Sequence, residues 1–174
     1  MGRLVVAVGM AAVVLCAAAC GGTTIGQPAA ASTSALTVSS SAAPDPDGLP
    51  VDQPCTLLSP ADLQQLGVTE QPTQEMVGTA HTCSLNTTAD TLGVGIRTNV
   101  GLAGYVAAGG PVHDITVGSH QAKEELGNTG SCVVAIGVSA SSRVDVIVTG
   151  DGTTDPCPTA LTLARLVERR LPSD

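Results

Sequence analysis

Apolar and polar residues alternate most clearly in the second half of the chain. Leu92, Val94 and Ile96 alternate with two glycines and Arg97, which predicts a half-buried strand. Runs rich in β-branched residues predict further strands at 112–117, 132–138 and 144–149, and a short run at 82–85 predicts another. Residues 121–126 are the expected hairpin partner of 112–117. Gly118 and Ser119 form a turn between two of these runs, and residues 139–142 join the last two. The pattern therefore predicts an antiparallel sheet built largely from hairpins.

One helix is predicted before the strands. Ser59 is a favourable N-cap, Pro60 fits the first helical position, and Asp62 lies in the first turn. Gly67 is a natural residue just past the end. Because this helix is short, it must pack against other elements to persist.

A second helix is predicted after the strands, with Asp155 as N-cap and Pro156 at the first position. Pro172 ends it. Its apolar residues recur at helical spacing at Leu161, Ala164, Val167 and Leu171, whereas Thr162, Arg165 and Arg169 lie on the opposite side. The order of elements predicts an α+β domain, an antiparallel sheet with an N-terminal and a C-terminal helix packed on one face.

The first 20 residues have the layout of a bacterial lipoprotein signal. Arg3 precedes an uncharged apolar run at 4–15, and small residues at 17–19 lead to Cys20. We expect residues 1–19 to be removed and Cys20 to carry the lipid. Acyl chains contribute about 0.8 kcal/mol per buried CH₂, so two or three of them hold a protein stably on a membrane.

Other interpretations of this segment stay open. Ordinary cleavage after Ala17-Ala18-Ala19 would release a soluble secreted protein. Cys16 is the weaker lipid acceptor because the large Leu15 precedes it, where the processing peptidase requires a small residue. A permanent membrane helix is disfavoured, since the apolar run is short and no basic cluster follows it.

Residues 20–50 contain the lipidated cysteine followed by a tether of alanine, serine, threonine, glycine and proline. Their apolar content is too low for a core, and a flexible coil of this length spans roughly 30 Å. We expect the globular domain at 51–174, held on the extracytoplasmic face of the cell membrane.

Composition excludes several classes of ligand. Seven basic residues, of which Arg3 would be removed, stand against 15 acidic ones, giving a mature net charge of −9. Such a surface repels nucleic acid, so no nucleic-acid partner is expected. Tyr105 is the only aromatic residue, which leaves little to stack on sugars, bases or flat cofactors. We expect no cofactor.

Four cysteines remain in the domain, at positions 55, 83, 132 and 157. An even number in an exported chain predicts two disulfides, and none of the four belongs to a C-x-x-C pair. Of the three possible pairings we expect Cys55–Cys83 and Cys132–Cys157, because a hairpin returns the chain from Cys132 to Cys157 without a crossing.

The domain resembles a family of actinobacterial envelope lipoproteins, the group of unknown function that includes the mycobacterial LprB-like proteins. The resemblance rests on the segment 54–63 with Gly67, on Cys83-Ser84, on Cys132-Val133-Val134, and on Pro156-Cys157 opening the last helix. It covers roughly residues 52–172 together with the lipid-attachment segment. Leu85 stands where the family often has tryptophan. The resemblance implies a surface lipoprotein with an α+β domain and transfers no catalytic residue.

The sequence contains no nucleophile elbow, no glycine-rich phosphate loop, no GxGxxG turn and no H-E-x-x-H helix. The three histidines, His81, His113 and His120, could bind a metal with Asp114 or Glu124 only if they converged, and we expect no metal site. The acidic segment 151–155 lacks the ligand spacing of a calcium loop and fits a turn leading to an N-cap.

Two classes of function remain. The first is a non-catalytic binding or accessory module for an envelope protein, a lipid or a small ligand. The alternative is an envelope hydrolase with an unrecognised site, for which Ser119-His120 is the one suggestive pair. Adjacent side chains rarely form a nucleophile and its base, so we favour the first class. The oligomeric state does not follow from the sequence.

Overall fold

The computed structural model describes residues 47–173. The main element of this part of the chain is one β-sheet, most of whose strands alternate buried and more exposed positions. Its seven strands are β1 (Thr73–Val77), β2 (Ala80–Asn86), β3 (Thr91–Arg97), β4 (Val112–Val117), β5 (His120–Leu126), β6 (Ser131–Gly137) and β7 (Arg143–Thr149). They lie in the order β1-β2-β3-β7-β6-β5-β4, and every neighbouring pair is antiparallel. β7 therefore joins two three-stranded meanders.

The two faces of the sheet differ in chemistry. On one face Val94, Val146 and Val134 lie side by side across three strands and are fully buried. This face carries the hydrophobic core. The opposite face, called here the outer face, carries Gly95, Asp145 and their neighbours.

The C-terminal helix α2 (Cys157–Glu168) covers the core face of β6 and β7. Its first turn differs by one residue from the sequence expectation, since Pro156 is the N-cap. Asp155 still contributes, because its carboxylate accepts a 2.9 Å hydrogen bond from the Cys157 N–H. The helix buries a set of apolar residues in the core, namely Ala160, Leu163, Ala164, Leu166 and Val167.

The short helix α1 (Pro60–Gln65) begins and ends as the sequence predicts. Ser59 and Asp62 form a reciprocal capping box, in which each side chain bonds the backbone N–H of the other residue. Gly67 follows with a φ of 70°, the left-handed conformation that ends many helices.

The predicted α+β fold with two helices packed on one face is nevertheless wrong. Among the described residues the domain is mostly a seven-stranded antiparallel sheet with a single longer helix, α2. α1 stops after six residues and forms no helical layer on the sheet. The 3₁₀ turn Pro54–Leu57 contacts β2 and β3 in its place, and Leu57 and Leu58 enter the core.

Within the described residues two disulfides link the 3₁₀ turn and α2 to the sheet. Cys55 of the 3₁₀ turn is bonded to Cys83 of β2, and Cys132 of β6 to Cys157 of α2. These are the two local pairs expected from the sequence. Each disulfide links one of these two segments to a buried cysteine of a strand.

The hairpins agree with the predicted ones, but β1 was not predicted. The strands at 112–117 and 121–126 meet at Gly118, where φ is 58°, and those at 132–138 and 144–149 also pair. All five residues of β1 are exposed, so they have no alternation of buried and exposed positions.

No helix among the described residues is both long and apolar enough to span a bilayer. The expected signal peptide, Cys20 and the tether up to residue 46 lie outside the described residues.

Candidate functional site

The suggestive pair Ser119-His120 does come together with an acid, Glu168, which sequence reasoning missed. Ser119 lies in the β4–β5 turn, His120 opens β5, and Glu168 ends α2. The Ser119 Oγ is 3.4 Å from His120 Nδ1, and Glu168 Oε1 is 3.1 Å from the same nitrogen. Glu168 also accepts a 3.1 Å hydrogen bond from the Ser119 backbone N–H.

This geometry differs from that of a hydrolytic triad. In a triad the acid bonds one ring nitrogen of the histidine and the nucleophile the other. Here serine and acid share Nδ1, whereas Nε2 is 3.0 Å from the carbonyl oxygen of Pro172. His120 is also buried, with 2 % of its surface exposed. The cluster joins the β4–β5 turn to the end of α2 and gives Ser119 no free base.

The carboxylate of Glu168 is stabilised in its charged form by this arrangement. The Ser119 backbone N–H lowers the pKa of Glu168 most, and the hydrogen bond and charge of His120 lower it further against the opposing effect of burial. A fixed anion at the turn is thus part of the fold.

The three histidines do not converge on a metal site. His81 lies on β2 and His113 on β4, near opposite edges of the sheet. Asp114 projects on the other face from His113 and binds Lys123 at 2.5 Å. Glu124, the remaining candidate, lies near Cys132 and Cys157. Those two sulfurs form a disulfide, so neither is a thiolate ligand.

The acidic segment before α2 forms the expected turn. The carboxylate of Asp151 accepts hydrogen bonds from the Thr153 backbone N–H at 2.9 Å and from its hydroxyl at 2.6 Å. These bonds, that of the hydroxyl first, lower the pKa of Asp151. Asp155 accepts a hydrogen bond from the Cys157 N–H in the first turn of α2, so both carboxylates already have local backbone partners.

Charged side chains on the outer face form a closed network. Arg97 and Arg143 are paired across β3 and β7. Asp145 accepts from Arg97 Nε at 2.6 Å and from Arg143 Nε at 2.7 Å. Arg143 also donates to the carbonyl oxygen of Gly101 at 3.1 Å, which holds the segment between β3 and β4 against the sheet.

That segment, residues 98–111, is called here the covering loop. Its Tyr105 ring centroid lies 5.4 Å from the Arg143 guanidinium carbon, and the Tyr105 hydroxyl donates a 2.6 Å hydrogen bond to Glu125. Glu125 is fully buried and also accepts from the Gly110 N–H at 2.8 Å. Burial raises the pKa of Glu125, but the donors of the covering loop outweigh it and hold that pKa below its usual range.

The strand β1 has a different character, because it lies at one edge of the sheet and is exposed throughout. Met76 exposes 56 % of its surface and Val77 exposes 49 %. Unpaired strand edges are templates for pairing with another chain. Neighbouring large apolar residues that remain exposed on such an edge indicate an interaction surface, whereas single ones scattered over a surface do not.

A hollow of about 220 Å³ lies beside this edge. Its apolar wall comes from Val51, Pro54 and Met76, and Asp52 contributes a carboxylate. The other lining residues are Gln74, Glu75 and His81. We call β1 together with this hollow the β1 edge site. Sequence reasoning missed it because β1 itself was missed.

Within the described residues, the fold and its sites define a disulfide-linked domain built on a single open sheet with β1 and β4 at its edges. Comparison with protein families matches residues 15–170 to the family described as a protein of unknown function, DUF3558. The match spans most of the chain, so the chain belongs to this family. No curated protein and no solved structure matches it.

Proposed function

We propose that this protein is a lipid-anchored lipoprotein of the cell envelope that binds another envelope protein and performs no catalysis itself. Within its family we place it with the mycobacterial LprB-like lipoproteins, on the resemblance described above. The observation that carries the proposal is the β1 edge site. Exposed Met76 lines a hollow there, exposed Val77 follows it on the same strand, and within the described residues this edge of the sheet has no partner strand. Strand addition at such edges is a common mode of peptide recognition.

The anchor and the tether fit this role. A lipid on Cys20 would restrict the domain to the membrane surface, and residues 21–50 would let it reach over roughly 30 Å. Confinement raises the local concentration of a binding module near its partner. A weak contact at one strand edge is then sufficient for association.

The alternative of an envelope hydrolase has little support. Ser119 Oγ and Glu168 Oε1 approach the same nitrogen of His120, and Pro172 occupies the other. A nucleophile there would lack the base it needs. The closed charge network around Asp145 likewise holds the covering loop and presents no unpaired nucleophile.

Site-specific photo-crosslinking in intact cells tests the proposal. A photoreactive amino acid replaces Val77 on β1, and in a matched variant it replaces Val112 on β4, the exposed valine of the opposite edge strand. We expect a discrete protein adduct from position 77 and a much weaker one from position 112. Equal labelling from both edges, or adducts with lipid alone, would contradict the proposal.

A further inference from the structure

The register of the β1–β2 hairpin determines which backbone groups of β1 are free. Val77 and Ala80 flank a two-residue turn that begins at Gly78, where φ is 60°. Residues flanking such a turn form a hydrogen-bonded pair, and bonded and non-bonded pairs then alternate along the ladder. The N–H and C=O groups of Gln74 and Met76 therefore point away from β2, toward the open edge.

The side chains along this edge alternate between two chemistries. Gln74 and Met76 project on the face with the hollow, where Val51 and Pro54 form an apolar wall. Glu75 projects on the outer face, where it accepts a 2.6 Å hydrogen bond from Ser84 and remains exposed. A strand added at this edge would meet the apolar wall of the hollow on one face and the Glu75 carboxylate on the other.

We propose that the β1 edge site takes an extended segment of a partner protein in which a lysine or arginine lies between two apolar residues. The inference rests on the function proposed above and specifies the partner's chemistry. The apolar side chains enter the hollow beside Met76, and the basic side chain pairs with Glu75 across the two strands. Opposite charges in cross-strand positions stabilise a pair of strands. The acidic chain, with a net charge of −8, also attracts a basic partner.

A second copy of the chain is a poorer occupant of this edge. An antiparallel pairing that uses the free groups of both Gln74 and Met76 in each copy is centred on Glu75. It brings the two Glu75 carboxylates directly opposite one another, and like charges in that position destabilise the pair. The opposite edge, β4, differs because its central acid, Asp114, is already paired with Lys123.

Binding of synthetic peptides to the full-length protein in detergent tests the inference. The probe is a short fluorescent peptide with a central lysine between two valines and threonines at its ends. Its matched control has glutamate in place of the lysine. We expect the lysine peptide to bind at least about tenfold more tightly, and Glu75→Gln to abolish most of this preference while retaining binding.

Two edge variants separate strand addition from surface adhesion. Met76→Pro removes one N–H that points toward the open edge and keeps the hydrogen bonds between β1 and β2. Because an added strand would lose that donor, the variant should abolish peptide binding. Thr116→Pro makes the equivalent change on β4 and should have no effect. In the unmodified protein, the amide protons of Gln74 and Met76 should exchange more slowly when the lysine peptide is present.

The outcomes distinguish the inference from the function on which it rests. Equal binding of both peptides, or unchanged exchange at Gln74 and Met76, would overturn the inference. If position 77 still crosslinks to a protein in cells in that case, the binding module stands and only the partner's chemistry is wrong. Self-association that competes with the peptide would identify a second copy as the occupant and would also overturn it.

Discussion

The guanidinium of Arg169 donates a 2.9 Å hydrogen bond to the carboxylate of Asp62, which lies 107 residues earlier in the chain. Arg170 approaches the other carboxylate oxygen at 2.8 Å, and Ser59 donates to that oxygen from its backbone and its hydroxyl. Asp62 is 5 % exposed. One buried carboxylate thus caps α1 and joins it to the end of α2.

Replacing Asp62 should destabilise the domain. Asp62→Asn removes the charge that both arginines share, and we expect a loss of about 1 to 2 kcal/mol in the free energy of unfolding, since Arg169 and Arg170 remain partly solvated. Urea unfolding measures it. Arg165→Ala, at an exposed position on α2, is the control and should change stability by less than about 0.5 kcal/mol. Equal effects would show that the junction contributes nothing specific.

Stability should fall in acid. The pKa values of Asp62 and Glu168 are lowered first by hydrogen bonds from Ser59 and Ser119, respectively, and that of Glu125 by the covering loop against the effect of burial. A lowered pKa in the folded state gives stability that is complete above the unfolded-state values, 3.8 for aspartate and 4.5 for glutamate. We therefore expect constant stability from neutral pH down to about 5 and a progressive loss below it.

Urea unfolding at a series of pH values measures this loss. Glu168→Gln should make the acid side of the curve less steep, because one of the groups that bind protons on unfolding is gone. A curve that rises toward acid would contradict the assigned directions.

The single tyrosine allows a direct test of the covering loop. Burial raises the pKa of Tyr105, and the neighbouring Glu125 carboxylate raises it further. Ultraviolet absorbance during alkaline titration should show the phenol ionising well above pH 10, and near pH 10 once urea has unfolded the protein. Glu125→Gln should bring the folded-state pKa partly down. Ionisation near pH 10 in the folded protein would mean that the loop does not hold Tyr105 against the sheet.

Loss of a disulfide should be costly in this aromatic-poor core. The pairs close segments with sequence separations of 28 and 25 residues. The chain-entropy relation gives about 3 to 4 kcal/mol for loops of this length. Replacing both Cys132 and Cys157 by alanine should lower the free energy of unfolding by about that amount, measured without reductant. Cleavage of the Cys55–Cys83 pair should cost a similar amount, and peptide mapping without reduction checks both links.

The proposed lipid anchor is tested by Cys20→Ala in the natural host. We expect the variant to be released into the medium or left unprocessed, because the acceptor thiol is absent. Cys16→Ala is the matched control and should remain with the detergent phase. A Cys20→Ala protein that partitions into detergent like the parent would refute the anchor.

The alternating pattern was sufficient to predict the strands whose residues are buried on one face. Leu92, Val94 and Ile96 are all at most 1 % exposed, as their spacing indicates. β1 was missed because an edge strand with five exposed residues carries no such pattern. The packing of α1 on the sheet was not predictable, because a strong cap defines where a helix begins and says little about what the helix contacts.

The polar contacts that define the candidate sites could not be predicted from local sequence patterns. Glu125 reads as a solvated residue in Lys123-Glu124-Glu125, yet its donors come from a loop 15 to 20 residues away. The partner of His120 is Glu168, 48 residues further on. Such pairs depend on tertiary placement, and nothing in the spacing of the sequence encodes them.

The central position of β7 determines the order in which the sheet can assemble as the chain is synthesised from its N-terminus. β1 to β3 can form a meander early, and so can β4 to β6, but the two remain separate until Arg143–Thr149 has emerged and inserted between β3 and β6. The β3–β7 pairing joins residues about 50 positions apart, and such non-local contacts form slowly. Until then each half exposes an additional strand edge. A chaperone that binds those edges would protect them until β7 inserts, and truncation before residue 143 should leave two unjoined half-sheets.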